Sequence, residues 1–262
     1  MDMSYWHKQT KQAPLYEALL WSRPENRLHA GKLLIIGGSG YEFKAPANAY
    51  GDALNAGIGV AKVILPVSMK KVVSDIFPEA DYAPTTPSGS FARTALAQML
   101  DSAAWADGVL LAGNFGRNSE TAIVLEDFLQ KHKGKVIITH DAVDYFLNNS
   151  PPLLDRAGTT LVISFGQLQK LATDAGFTTA FTSSMDILRF VETFHDFSQM
   201  HPCNLAVKRG DSIFVAKAGK VSSTKFEADR KIWRVETATS MAVWWIQNPS
   251  NTFKALTTSL IA

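Results

Sequence analysis

Short apolar runs alternate with amphipathic stretches along most of this chain. "KLLIIGG" (Lys32 to Gly38) is a continuous apolar run closed by glycines, the pattern of a strand buried on both faces. "PANAYGDALNAGIG" (Pro46 to Gly59) is alanine-rich, with proline in its first turn and Gly57 near its end; this predicts a helix packed closely on a sheet. "AKVILP" (Ala61 to Pro66) predicts the next strand, stopped by proline. Further strands are predicted at "GVLLAG" (Gly108 to Gly113), "KVIITHDAV" (Lys135 to Val143), "TLVISF" (Thr160 to Phe165) and "CNLAVKRG" (Cys203 to Gly210). Helical spacing marks "SMKKVVSDIF", "SFARTALAQMLDSAAWA", "SETAIVLEDFLQKHK", "GQLQKLATDAG" and "SMDILRFVETFHDFSQM", with "SMAVWWIQN" and "NTFKALTTSLIA" as closing helices. "DSIFVAKAGKVSSTKF" has the alternation and turns of a β-hairpin. Strands separated by helices predict an α/β fold, a mostly parallel sheet with helices on both faces. Residues 1–30, where "LYEALLW" is broken by Pro24, are expected to be an N-terminal extension, and 31–262 a single domain.

Composition narrows the partners. The chain has 262 residues, with 26 basic against 24 acidic and a formal charge of +2. That balance is too even to call for nucleic acid or an anionic membrane. Cys203 is the one cysteine, so no intrachain disulfide and no thiolate zinc cluster is available. The histidines show no metal-ligand spacing, and no metal site is expected from them. Met1 to Pro14 is polar, and no segment approaches the ~18–20 apolar residues of a membrane span. A soluble, cytoplasmic protein is expected.

In open parallel sheets, ligands bind beyond the carboxyl ends of the strands. Four strand-to-loop junctions are therefore candidates. Gly37-Gly38-Ser39-Gly40 puts small residues and backbone N–H groups ahead of a helix, which suits an anion or simply a tight turn. Gly113-Asn114-Phe115-Gly116 would let a ligand approach the backbone closely. His140-Asp141 offers a carboxylate for a metal or a substrate hydroxyl, or a cap for the next turn. Lys208-Arg209-Gly210-Asp211 offers a lysine as a point charge for phosphate, or a solvated surface turn.

These junctions occur in the order of a known family. Gly31 to Pro66 resembles the opening of the ADP/ATP-dependent NAD(P)H-hydrate dehydratases, members of the ribokinase-like carbohydrate kinase superfamily. "AGNFGRNSETAIVLEDFL", "THDAVDYF" and "LAVKRGDSIFVA" resemble later segments of that family, and the likeness covers about residues 20–255. The resemblance implies a ribokinase-like three-layer sandwich. It implies an enzyme using ADP or ATP, with Mg2+ as an option, to dehydrate hydrated NADH or NADPH, or a related small-molecule kinase, and a homo-oligomer. Gly38, Ser39, Ala45, Gly113, Asn114, Gly116 and Ser164 would line the substrate site. Lys208, Arg209, Gly210, Asp211, Ser212, Thr237 and Thr239 would hold the adenine nucleotide.

The likeness has gaps. The family's Gly-Thr-Gly-Asp at a helix N-terminus would fall on Thr237-Ala238-Thr239-Ser240, replacing both glycines and the aspartate. Its His-Pro-Gly-Glu corresponds to Ser164-Phe165-Gly166-Gln167, and Lys44 stands where a glycine is expected. Ser240 and Asp141 are the candidate catalytic groups, although a neutral hydroxyl is a poor general base. The alternative is a catalytically impaired nucleotide-binding homologue with a sensing or structural role.

Overall fold

The computed structural model describes residues 3–75, 77–78, 80–226 and 233–262. The strands are β1 (Trp6–Gln9), β2 (Lys32–Gly37), β3 (Val60–Pro66), β4 (Ala80–Ala83), β5 (Gly108–Gly113), β6 (Val136–Thr139), β7 (Thr159–Ile163), β8 (Asn204–Arg209), β9 (Ser212–Lys217) and β10 (Lys220–Lys225). The helices are α1 (Glu17–Leu20), α2 (Lys44–Asn55), α3 (Lys70–Val73), α4 (Ala95–Trp105), α5 (Ser119–Lys131), α6 (Pro151–Leu154), α7 (Phe165–Asp174), α8 (Ile187–Met200), α9 (Arg234–Gln247) and α10 (Thr252–Thr258). All ten strands join one sheet in the order β1-β10-β9-β8-β7-β6-β5-β2-β3-β4. Among them only β9 runs antiparallel to its neighbours.

The apolar runs are buried on both faces, as their lack of alternation requires. Leu34, Ile36, Leu111 and Ile138 pack with α4, α5, α7 and α8 on one side. Leu33, Ile35, Leu110 and Ile137 pack with α2, α9 and α10 on the other. This is the three-layer α/β architecture. Cys203 lies in the first of these cores, where burial pushes its thiol up to about 12. Trp244 and Trp245 are core residues of α9.

The first thirty residues are more than an appendage. β1 pairs parallel with β10 at the sheet edge. Buried Gln9 donates its amide to Thr224 Oγ1 at 2.8 Å and to the Thr257 carbonyl at 2.7 Å. The run "WHKQ" is too short and polar to read as a strand alone; the exposed edge of β10 makes it one.

His132 ends α5 stacked on Phe128, its Nε2 buried without a partner. Burial, reinforced by Arg156, lowers its pKa from the ordinary 6.5. An unfolded chain therefore takes up a proton near pH 6.5 that the folded chain refuses. The stability this contributes is present above that pH and lost as pH falls through the lowered folded value. The melting temperature is expected to drop on acidification below pH 6.5, and His132→Leu to flatten part of that slope.

Candidate active site

The carboxyl ends of β2, β5, β6 and β7 bring together half of the sequence-predicted residues: Gly38, Ser39, Ala45, Gly113, Asn114, Gly116, Asp141 and Ser164. At the end of β5 the chain enters Asn114 with φ +62, and at the end of β6 it enters His140 with φ +58. Both are left-handed conformations that L-residues adopt at a cost, of a kind concentrated at functional sites. Asn114 Oδ1 accepts the Ala45 N–H at 2.6 Å, tying the first turn of α2 to β5. Gly38 donates its N–H to the Gly113 carbonyl at 2.9 Å.

Asp141 follows in a short 3-10 turn (His140–Ala142). Its Oδ2 accepts the Gly116 N–H at 3.2 Å, and Oδ1 lies 3.2 Å from His140 Nδ1. The carboxylate thus faces the 113–116 loop. Tyr145 donates to the Gly116 carbonyl at 2.8 Å, and burial pushes its phenol up to about 12, so it stays a neutral donor at ordinary pH. Asp141, Asp144, Tyr145, Gly116, Asn118 and Lys170 surround a cavity of about 640 Å³.

A second cavity, of about 430 Å³, has His140 in its wall, next to Asp141 of the first. Ala45, Asn114, His140, Ser164 and Arg234 are among its walls. Ser164 caps α7: its hydroxyl accepts the Gln167 N–H, while Gln167 Oε1 accepts the Ser164 N–H at 3.0 Å. Gln167 also donates to the His140 carbonyl at 2.8 Å and Asp144 Oδ1 at 2.7 Å. The glutamine therefore works as a strut between β6 and β7. A carboxylate there could not donate to Asp144.

The end of β8 opens onto a third, larger groove of about 930 Å³. Lys208 through Ser212 line it, with Trp6, Lys8, Phe165 and Lys225. Its size and its lysines suit an adenine nucleotide, which buries an aromatic ring and carries phosphates. Within the loop the roles divide. Arg209 stacks over Phe165 and Phe190 and binds the Met185 carbonyl, so it ties the loop to the 182–185 turn. Asp211 pairs with Lys225 at 3.3 Å and accepts from Ser212 Oγ at 2.9 Å.

The helix expected to open at Thr237-Ala238-Thr239-Ser240 begins earlier. α9 starts at Arg234, so those four residues occupy its second turn. Thr237 and Thr239 are buried, and Thr239 Oγ1 donates to the Val235 carbonyl at 2.8 Å. Burial against the sheet and α2 overrides the weak helix preference of the threonines. Ser240 donates to the Ser259 carbonyl at 2.9 Å, joining α9 to the chain after α10. It lines none of the three cavities. Ser240→Ala is expected to cost about 0.5–1.5 kcal/mol of stability, read from a denaturant titration, with any turnover unchanged.

The residues at the N-terminus of α9 are Trp233, Arg234, Val235 and Glu236. Arg234 donates to Gln167 Oε1 at 3.2 Å. Burial pulls its pKa below the ordinary value, opposed by the charges of Asp144 and then Asp141. Glu236 lies toward α2, where burial and then this charge hold the Asp52 carboxyl above its usual range. Arg234, Asp144 and Tyr145 were not among the residues singled out from the sequence. Asp144 and Tyr145 stood in "THDAVDYF", but their placement beside Gly116 depends on the 3-10 turns. Among the described residues no group of three or more His, Cys, Asp or Glu side chains is placed to hold a metal ion. No helix among them is long and apolar enough to cross a membrane.

No protein-family model matches the chain. It is 25% identical over 189 residues to the bifunctional NAD(P)H-hydrate repair enzyme Nnr of Dictyoglomus turgidum, a match covering 70% of this chain and 35% of that protein. The chain is similar in sequence to that repair enzyme and has a ribokinase-like fold. It spans about a third of the length of the curated relative it matches. A ribokinase-like superfamily protein from Enterococcus faecalis superposes with a TM-score of 0.73 at 14% identity, covering 100% of this chain and 87% of that one. The ADP/ATP-dependent NAD(P)H-hydrate dehydratase of Bacillus subtilis, co-crystallised with ATP and Mg2+ and soaked with CoA, gives 0.61 at 12% identity, covering 95% and 86%. These likenesses carry the fold.

Proposed function

We propose that this chain is an ADP- or ATP-dependent enzyme of the ribokinase-like kind that acts on a hydrated nicotinamide nucleotide. One observation supports this above the others. Ala45, Asn114 and Ser164 line one cavity at the strand ends and Asp141 another, and Phe165, next to Ser164, lines the Lys208–Ser212 groove. A substrate in the cavities and a nucleotide in the groove would meet across the first turn of α7.

In this reading Asp141 is the group that takes or returns a proton at the substrate oxygen. It is oriented by the Gly116 N–H and by His140. Tyr145, held neutral, fixes the loop that positions Gly116. Gly113 and Gly116 keep the backbone low enough for close approach. Lys208 and the Gly210–Ser212 backbone would hold the nucleotide phosphates, and Mg2+ would enter with the nucleotide. When bound, the nucleotide supplies the phosphoryl chemistry that drives loss of the substrate hydroxyl.

A second reading is a nucleotide-binding homologue without turnover. It is favoured by the α9 N-terminus, where Trp233, Arg234, Val235 and Glu236 stand in place of a glycine-rich turn. Both readings require nucleotide binding. ADP at 100 times its Kd is expected to stabilise the fold by roughly 2.7 kcal/mol, seen as a raised melting temperature that is lost in Lys208→Ala. No shift with ADP, ATP or NADPH would overturn both.

A further inference from the structure

Two departures from the family's pattern, Lys44 and Ser164, meet in space with Arg234. Lys44 begins α2, Ser164 caps α7 and Arg234 begins α9, and all three line the 430 Å³ cavity beside Ala45. Gln167, another departure, touches Arg234 directly.

We propose that this cavity is a phosphate subsite built from side-chain charge, in which Lys44 and Arg234 clasp a phosphate group of a small-molecule ligand. Two cations line it against one carboxylate, Glu42. Asp141 and Asp144 act on Arg234 electrostatically and are walls of the neighbouring cavity. Gln167 Oε1 holds one side of the guanidinium, leaving other N–H donors of its planar fork for a phosphate. Lys44 enters no ion pair among the described residues. Asn114 supplies a separate indication. It is 5% exposed and lines the cavity, and its Oδ1 is taken by Ala45. Its amide nitrogen donates to no described residue, so a donor at the cavity wall remains for an acceptor there. The positive ends of α2, α7 and α9 add to the same field.

The inference rests on this cavity being the ligand site of the proposed function, but it does not require turnover. The probe is inorganic pyrophosphate, titrated calorimetrically into the full chain. Binding is expected to weaken about tenfold or more in Lys44→Ala and in Arg234→Gln, to survive in Lys208→Ala, and to fall as salt is raised. Lys44 is exposed on the first turn of α2, so its variant carries the test if Arg234→Gln does not fold. ADP and nicotinamide mononucleotide are then titrated separately, and the one whose affinity depends on Lys44 identifies the source of the phosphate. Absent binding, unchanged affinity in Lys44→Ala, or loss confined to Lys208→Ala would overturn the subsite. Lys44-dependent binding without turnover of hydrated NADPH would support the subsite while removing the enzymatic reading.

Discussion

Gly113→Ala is expected to lower the stability of the fold more than any other change described for this protein. Gly113 has φ +107, which L-residues rarely adopt, and an added Cβ would lie 2.6 Å from His140 Cβ and 2.9 Å from Asp141 Oδ1. The nearer neighbour, His140 Cβ, sits on the backbone and cannot swing away, since His140 is itself held at φ +58. Strain and overpacking together amount to on the order of 3–5 kcal/mol, a large part of the ~5–15 kcal/mol that holds a typical native protein together. Any molecules that do fold would have β5 and the Asp141 turn forced apart. The comparison is Gly51→Ala in the middle of α2, where nothing lies within 4 Å of the added carbon. That change is expected to stabilise by about 0.5–1 kcal/mol through helix propensity. Denaturant unfolding of the two variants beside the wild type measures both. A Gly113→Ala protein with wild-type stability would contradict the packing described at the strand ends.

Asp141→Asn is expected to reduce turnover of hydrated NADPH by about 10²–10⁴-fold, the usual contribution of a positioned acid or base. The shape of the side chain is kept, and the amide oxygen can still accept the Gly116 N–H. Stability and stabilisation by ADP should therefore change little. The pair of measurements separates proton handling from nucleotide binding. A variant that loses ADP binding as well would make Asp141 a structural or nucleotide contact instead. A variant with full turnover would remove the carboxylate from the chemistry.

The sheet was legible because its strands are short apolar runs and its helices carry clear spacing. β2, β5, β7 and β8 lie where the apolar runs end in glycine, serine or basic residues, and the hairpin of β9 and β10 follows its alternation. What escaped were segments whose structure is borrowed from neighbours. β1 is polar and becomes a strand only by pairing with β10, and β4 is four residues at the opposite edge. The start of α9 escaped because tertiary burial, not propensity, makes Thr237 and Thr239 helical. That shift matters most for the site. It replaces Ser240 at the helix N-terminus with Arg234, and the contact of Arg234 with Gln167 spans 67 positions of sequence. Asp141, Asn114 and Ser164 were readable as strand-end residues. Their partners Tyr145, Asp144 and Gln167 depend on turns and caps that only the folded chain assembles.

Nucleotide-dependent chemistry is expected at the strand-end cavities. It is tested most directly by incubating the wild-type chain with hydrated NADPH and following recovery of NADPH absorbance with and without ADP or ATP and Mg2+. Recovery that requires the nucleotide is the predicted result. No recovery with either nucleotide, at concentrations that raise the melting temperature, would contradict the enzyme and leave a nucleotide-binding protein in its place.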